Sequence, residues 1–101
     1  MTEYSWPANS YAQRAHRARN SWAQTAAALP LGTKVAGQVI GRQPFGVFIE
    51  IDGHPDALGL AEVTSFPRGA SLPALGTRVE GEVIWHTEHH HQIKIRLAWA
   101  G

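Results

Sequence analysis

Two apolar periods divide the chain. Early in the sequence Tyr11, Ala15, Ala18, Trp22, Ala26 and Leu29 recur every three or four positions, which is the spacing of one face of an α-helix. Alanine is frequent here and favours that conformation. Asn9 or Ser10, following Pro7, supplies an N-cap, and Pro30 and Gly32 end the helix. Arg14 and Arg17 lie off the apolar stripe and Arg19 lies near its edge. The stripe predicts a helix that docks through Trp22, with a basic face left for phosphates or for a protein partner.

After Gly32 the period becomes two. A first strand, Thr33–Gly41, sets Val35, Gly37 and Val39 on one face and Lys34, Ala36, Gln38 and Ile40 on the other. Gly46–Ile51 forms a second strand with Val47, Ile49 and Ile51 inward, and Asp52-Gly53 makes a turn. Ala57–Ala61 is a short third strand, and Phe66–Pro73, rich in Gly, Ser and Pro, is a loop. The fourth strand, Arg78–His86, turns Val79, Gly81, Val83 and Trp85 inward. The fifth, Gln92–Leu97, turns Ile93, Ile95 and Leu97 inward and Lys94 and Arg96 outward.

One phrase occurs twice. Residues 31–40 and 75–84 both read L-G-T-K/R-V-x-G-x-V-I, whereas the segments between and after them differ. The repeat therefore marks a shared local demand rather than a duplicated domain. A Gly turn enters a strand, and a mid-strand Gly permits a tight bend or a close approach.

Five short strands with a long third-to-fourth connection follow the pattern of an oligonucleotide-binding (OB) barrel. The expected architecture is all-β: a five-stranded OB-fold barrel over residues 31–97, a helical extension over 1–30 and a tail over 98–101. Trp85 is expected to close the barrel end, and Trp99 to pack on the N-terminal helix.

Within that span the order of short motifs is more specific. G-T-K-V-A-G-Q-V at residues 32–39 leads to P-F-G-V-F-I at 44–49 and G-L-A-E-V-T at 59–64. Then come G-T-R-V-E-G-E-V at 76–83 and I-K-I-R-L at 93–97. This succession resembles the ribosomal protein S1 RNA-binding domain, an S1-like OB-fold. The resemblance implies that the barrel binds single-stranded RNA and that Phe45 and Phe48, the rings of the F-G-x-F motif, stack bases. Alternation supports an outward Phe48, because Val47 and Ile49 point inward; the competing reading is that the N-terminal helix or a partner covers it. Lys34, Arg42, Lys94 and Arg96 are the candidate phosphate contacts. Three positions depart from the family pattern. Glu62 stands where His is frequent, Thr87 about where Asp is usual, and Gln92 about where a basic residue opens the last strand.

Composition narrows the picture. The chain has 101 residues, 44% of them hydrophobic and 17% charged, a globular balance that suits one domain. The net charge of +1 hides an asymmetry. Residues 1–49 carry five basic side chains and one acidic, and residues 50–101 carry four basic and seven acidic. A basic half suits an anionic partner, but so small a total charge gives weak nonspecific attraction for nucleic acid. Cysteine is absent, which excludes disulfides and thiolate metal sites and accords with a cytoplasmic location. The opening residues do not follow the pattern of a signal peptide, and no apolar run is long enough to span a bilayer.

His86-Thr87-Glu88-His89-His90-His91 joins the last two strands. His86, His89 and His91 are a candidate zinc or nickel set, weighed against a polar loop that meets nucleic acid more strongly when its imidazoles are protonated. The loop reading is preferred, since a structural zinc site needs four fixed ligands. Neither G-x-x-x-x-G-K-S/T nor H-E-x-x-H is present, and no serine has His and Asp companions in a recognisable order. The expectation is a non-enzymatic binding module without a cofactor, with single-stranded RNA as partner. The alternative is a protein-interaction or immunity-like regulatory module on the same barrel, engaging its partner through the N-terminal helix.

Overall fold

The structure, a computed structural model, describes residues 4–7 and 11–99. The proposed caps Asn9 and Ser10 lie outside the described residues. The helical stripe forms as expected but in two pieces, α1 (Tyr11–Asn20) and α2 (Trp22–Ala28). Ser21, at φ −102° and ψ 9°, parts them. Five strands follow: β1 (Lys34–Gln43), β2 (Gly46–Ile51), β3 (Leu58–Glu62), β4 (Arg78–Thr87) and β5 (Gln92–Leu97). A 3₁₀ turn, Val63–Ser65, follows β3. The strands close into a barrel in the order β1-β2-β3-β5-β4, with β3 and β5 parallel and the other pairs antiparallel. Among the described residues no helix is long and apolar enough to cross a membrane.

The alternating residues fill the barrel. Val39, Val47, Ile49, Ile51, Val83, Ile93, Ile95 and Leu97 form its core, closed by Leu29 from the end of α2. Each such side chain contributes about 1.5–3 kcal/mol on burial. A second cluster lies outside the barrel wall, where Phe48, Leu58 and Leu60 pack against Ala18 of α1. β2 is therefore buried on both faces, and its unbroken apolar run V-F-I follows from that.

The repeated phrase has a physical meaning. Its two copies are the first halves of β1 and β4, and they pair with each other about a local two-fold. Ala36 faces Glu80 at the centre, while Lys34 faces Glu82 and Gln38 faces Arg78. The flanking bonds repeat: Gly32 N–H donates to Val83 O at 2.8 Å and Gly76 N–H to Val39 O at 2.9 Å. Gly37 and Gly81 sit where a neighbouring strand crosses closely. A Cβ there would lie 2.3 Å from Glu50 O and 2.5 Å from Arg96 O respectively.

Both copies also end in a bulge. Val39 pairs with Ile49 but Gly41 with Phe48, and Val83 pairs with Ile95 but Trp85 with Lys94. Ile40 and Ile84 are the extra residues, and each reverses the in-out phase beyond it. This corrects the expectation for Trp85. The slip turns its indole outward, 61% exposed, instead of closing the barrel. Trp99 also departs from expectation, packing on Phe66 at 4.9 Å rather than on the N-terminal helix.

Candidate nucleic-acid interface

The bulge in β1 also turns Gly41 outward, and the N-terminal residues use the space. Ser5 makes an antiparallel bridge with Arg42: Ser5 N–H donates to Arg42 O at 2.8 Å and Arg42 N–H to Ser5 O at 2.7 Å. Pro7 is buried over Gly41, where a Cβ would come within 2.8 Å of Pro7 Cδ. This strap brings Trp6 over the outer face of β2. Its indole lies 5.0 Å from Tyr11, 5.7 Å from Phe48 and 6.2 Å from Phe45.

Phe48 does point out of the barrel, as its parity requires, but it is not open to solvent. Trp6, Tyr11, Ala18 and Leu60 leave it 1% exposed. The expectation of an open Phe48 ring is corrected for this conformation, because the N-terminal segment covers the ring. Phe45, in the β1–β2 turn, is 42% exposed, and Trp6 beside it is 51% exposed. The open aromatic surface has moved from Phe48 to Phe45 and Trp6.

Beside these rings an open cleft of about 360 Å³ runs between β2, β3 and β5. Phe45, Tyr11, Leu60, Glu62, Gln92 and Lys94 line it. Lys94 is the expected cation that the fold brings to the aromatic residues. Its Nζ lies 2.9 Å from Glu62 Oε1, and its side chain is 16% exposed. A half-open pair of this kind is worth about 0–1 kcal/mol to stability, but it cancels the charge that would meet a phosphate.

The other expected cations lie elsewhere. Lys34 and Arg96 both reach Glu82, at 3.7 and 3.1 Å, in a wider cleft of about 590 Å³ along β1, β4 and β5 that no aromatic ring lines. Arg42 bridges Ser5 through its backbone, and its Nη2 donates to Leu72 O at 3.2 Å. At the start of β4, Arg78 forks onto Asp52, its Nη1 donating to Oδ1 at 3.0 Å and its Nη2 to Oδ2. That hydrogen bonding holds the Asp52 carboxyl below its ordinary value, opposed by slight desolvation and aided by the guanidinium charge.

The candidate metal set does not assemble. His86 Nε2–H donates to Leu29 O at 2.6 Å, fastening β4 to the end of α2. Trp22 lies beneath the hairpin loop, edge-on to His86 and His91, with its Nε1–H donating to Glu88 Oε2 at 3.2 Å. His89 and His90 are exposed. Among the described residues no group of three or more His, Cys, Asp or Glu is arranged to hold a metal ion.

Sequence reasoning missed Trp6 and Tyr11 as site residues. The signal was there: Tyr4, Trp6 and Tyr11 place three aromatics around a proline in the opening residues, an unusual content for an unattached tail.

No family model and no curated protein sequence matches the chain. Similarity is found in solved structures. The apo form of Mycoplasma genitalium RNase R superposes with a TM-score of 0.64 at 16% identity, over 78% of this chain and 15% of that one. The uncharacterized protein MJ1198 of Methanocaldococcus jannaschii superposes with a TM-score of 0.57 at 17% identity, over 69% of this chain and 93% of that one. The chain thus spans a small part of RNase R and nearly all of the archaeal protein. These likenesses establish the OB-type barrel and nothing narrower.

Proposed function

We propose that the chain is a single-stranded RNA-binding module of the S1 type, accessory to translation or RNA metabolism, which acts by binding and without covalent chemistry. The observation that carries the reading is the pair of half-exposed rings, Phe45 and Trp6, beside an open cleft on the β2–β3–β5 side of an OB barrel. OB folds bind oligonucleotides on this side, and a base on an exposed ring is worth about 1–3 kcal/mol. The motif succession from residue 32 to 97 gives independent support for the S1 type. Phe48 supports the platform from beneath, and Lys94 meets the backbone when a phosphate displaces Glu62.

The test is fluorescence anisotropy with a labelled oligouridylate at low and moderate salt, comparing the native chain with Phe45→Ala and Trp6→Ala. The reading expects binding that weakens with salt and falls about tenfold in each variant, the loss of one stacked base. No binding at low salt sinks it. The protein-interaction reading, which the Lys94–Glu62 pairing favours, would then take its place.

A further inference from the structure

A third cleft, of about 440 Å³, lies between α1 and the β4–β5 hairpin loop. α1 contributes His16, Arg19 and the small residues Ala12 and Ala15, which leave room; the loop contributes His89, His90 and His91. Among the described residues no carboxylate lines this cleft. The other two arginines of α1 are engaged: Arg14 pairs with Glu50 at 3.0 Å and Arg17 with Asp56 at 3.4 Å. Those pairs hold the helix to the barrel, whereas Arg19 forms no ion pair among the described residues and faces the histidines. Tyr11, His90 and Gln92 line this cleft and also the one beside Phe45, so the two adjoin.

We infer that the cleft between α1 and the hairpin loop is a binding site for phosphate-class oxyanions, which receives the backbone of a strand leaving the Phe45 platform and tightens as its imidazoles gain protons. The strand part rests on the RNA-binding reading above. The chemistry is that of a guanidinium and several imidazoles around an open space. A guanidinium holds its charge at any working pH, and an imidazole ordinarily gains its own below about pH 6.5. His16 Nε2 lies 3.0 Å from Asn20 Nδ2, and turning the Asn20 amide over would let its oxygen accept from an Nε2–H. Of the nearby carboxylates, Glu88 in the loop accepts from the Trp22 indole of α2 and keeps its charge, and Glu62 pairs with Lys94 in the adjoining cleft. Anion binding here therefore breaks no ion pair among the described residues, as it must at Lys94.

The experiment uses the full chain and two probes, a labelled oligouridylate and inorganic tripolyphosphate. The oligouridylate is read by anisotropy and tripolyphosphate by the NMR signals of the imidazoles, each at about pH 5.8 and pH 7.8. The comparison chain carries Arg19→Gln, His89→Gln and His90→Gln, leaving His86 and His91 on Trp22. The strand is expected to bind about tenfold tighter at the lower pH, with most of that gain absent from the triple variant. Tripolyphosphate is expected to shift the signals of His16, His89 and His90, more strongly at the lower pH. A pH gain without a tripolyphosphate response assigns the site to a strand backbone. A tripolyphosphate response in a chain that binds no RNA keeps the site as one for free polyphosphate and removes the RNA-binding reading. With RNA bound but no pH gain, the same response keeps the site and takes it off the strand's path. Absence of both the pH gain and the tripolyphosphate response, or a gain that persists in the triple variant, overturns the inference.

Discussion

The indole of Trp6 lies over the ring of Phe48 with centroids 5.7 Å apart and planes tilted by 40°. Phe48 is thus a packing residue between the barrel wall and the N-terminal segment, and Phe48→Ala should behave as a core truncation. A loss of about 3–5 kcal/mol is expected from denaturant midpoints at unchanged slope. Phe45→Ala, at a half-exposed turn position, should stay within about 1 kcal/mol of the native chain. Equal losses would contradict the placement of the two rings.

Gly41 offers a way to lift the strap without touching an aromatic residue. A Cβ at this position meets Pro7 Cδ at 2.8 Å, so Gly41→Ala should unseat residues 4–7 while β1 keeps its register. The expected cost is about 1–3 kcal/mol, typical of overpacking. The indole NMR signal of Trp6 should move while those of Trp22 and Trp99 stay. RNA affinity should fall, because Trp6 leaves the platform; a rise would make the strap a cover instead.

Removing the carboxylate beside Lys94 should free a cation for phosphate. Glu62→Gln is expected to tighten oligouridylate binding several-fold at low salt. It should also steepen the dependence of log affinity on log salt by about 0.7, the increment for one further phosphate contact on a single strand. An unchanged slope would mean that Lys94 lies off the strand's path.

The Asp52–Arg78 pair makes a pH signature in stability. The Asp52 carboxyl is depressed in the folded chain by its hydrogen bonds from Arg78. Folding therefore gains from this pair above the ordinary carboxylate pKa of about 3.9, and the gain disappears as pH falls through the lower folded value. Asp52→Asn should lower the thermal midpoint slightly at neutral pH and hardly at all in strong acid. A difference that persists undiminished in acid would assign the effect to something other than this ionisation. The pair is exposed, so the shift should be small and reduced by salt.

The strands were legible because each has one face in the core. β2 and β5 begin and end where alternation puts them, Gly46–Ile51 and Gln92–Leu97. Trp85 was not legible, because a bulge is a one-residue slip and leaves no mark in the periodicity of the strand that carries it. The covering of Phe48 was open in the sequence for a different reason. Parity decides which side of a sheet a residue takes, but not what else packs on that side. The division of the helix at Ser21 was hidden too, since the apolar spacing runs through it unbroken. Of the four expected cations, Lys94 reached the aromatic cleft; Lys34 and Arg96 went to Glu82, a carboxylate whose reach depends on strand register.

Across the seam between β1 and β4 the barrel contains a palindrome. The halves exchange their turn donors across the seam, and each repeats the other's crossing glycine and bulge toward its outer neighbour, β2 or β5. A segment that recognises its own likeness can meet that likeness on another molecule. Laid antiparallel on the β1 of a second chain about Ala36, β1 would set Lys34 opposite Gln38 and Val35 opposite Gly37, the positions at which β4 now serves it. Such a pairing would keep the backbone register but lose the carboxylate that Lys34 meets at Glu82, so closure of the barrel within one chain is favoured both by the proximity of the two copies and by that charge difference between them.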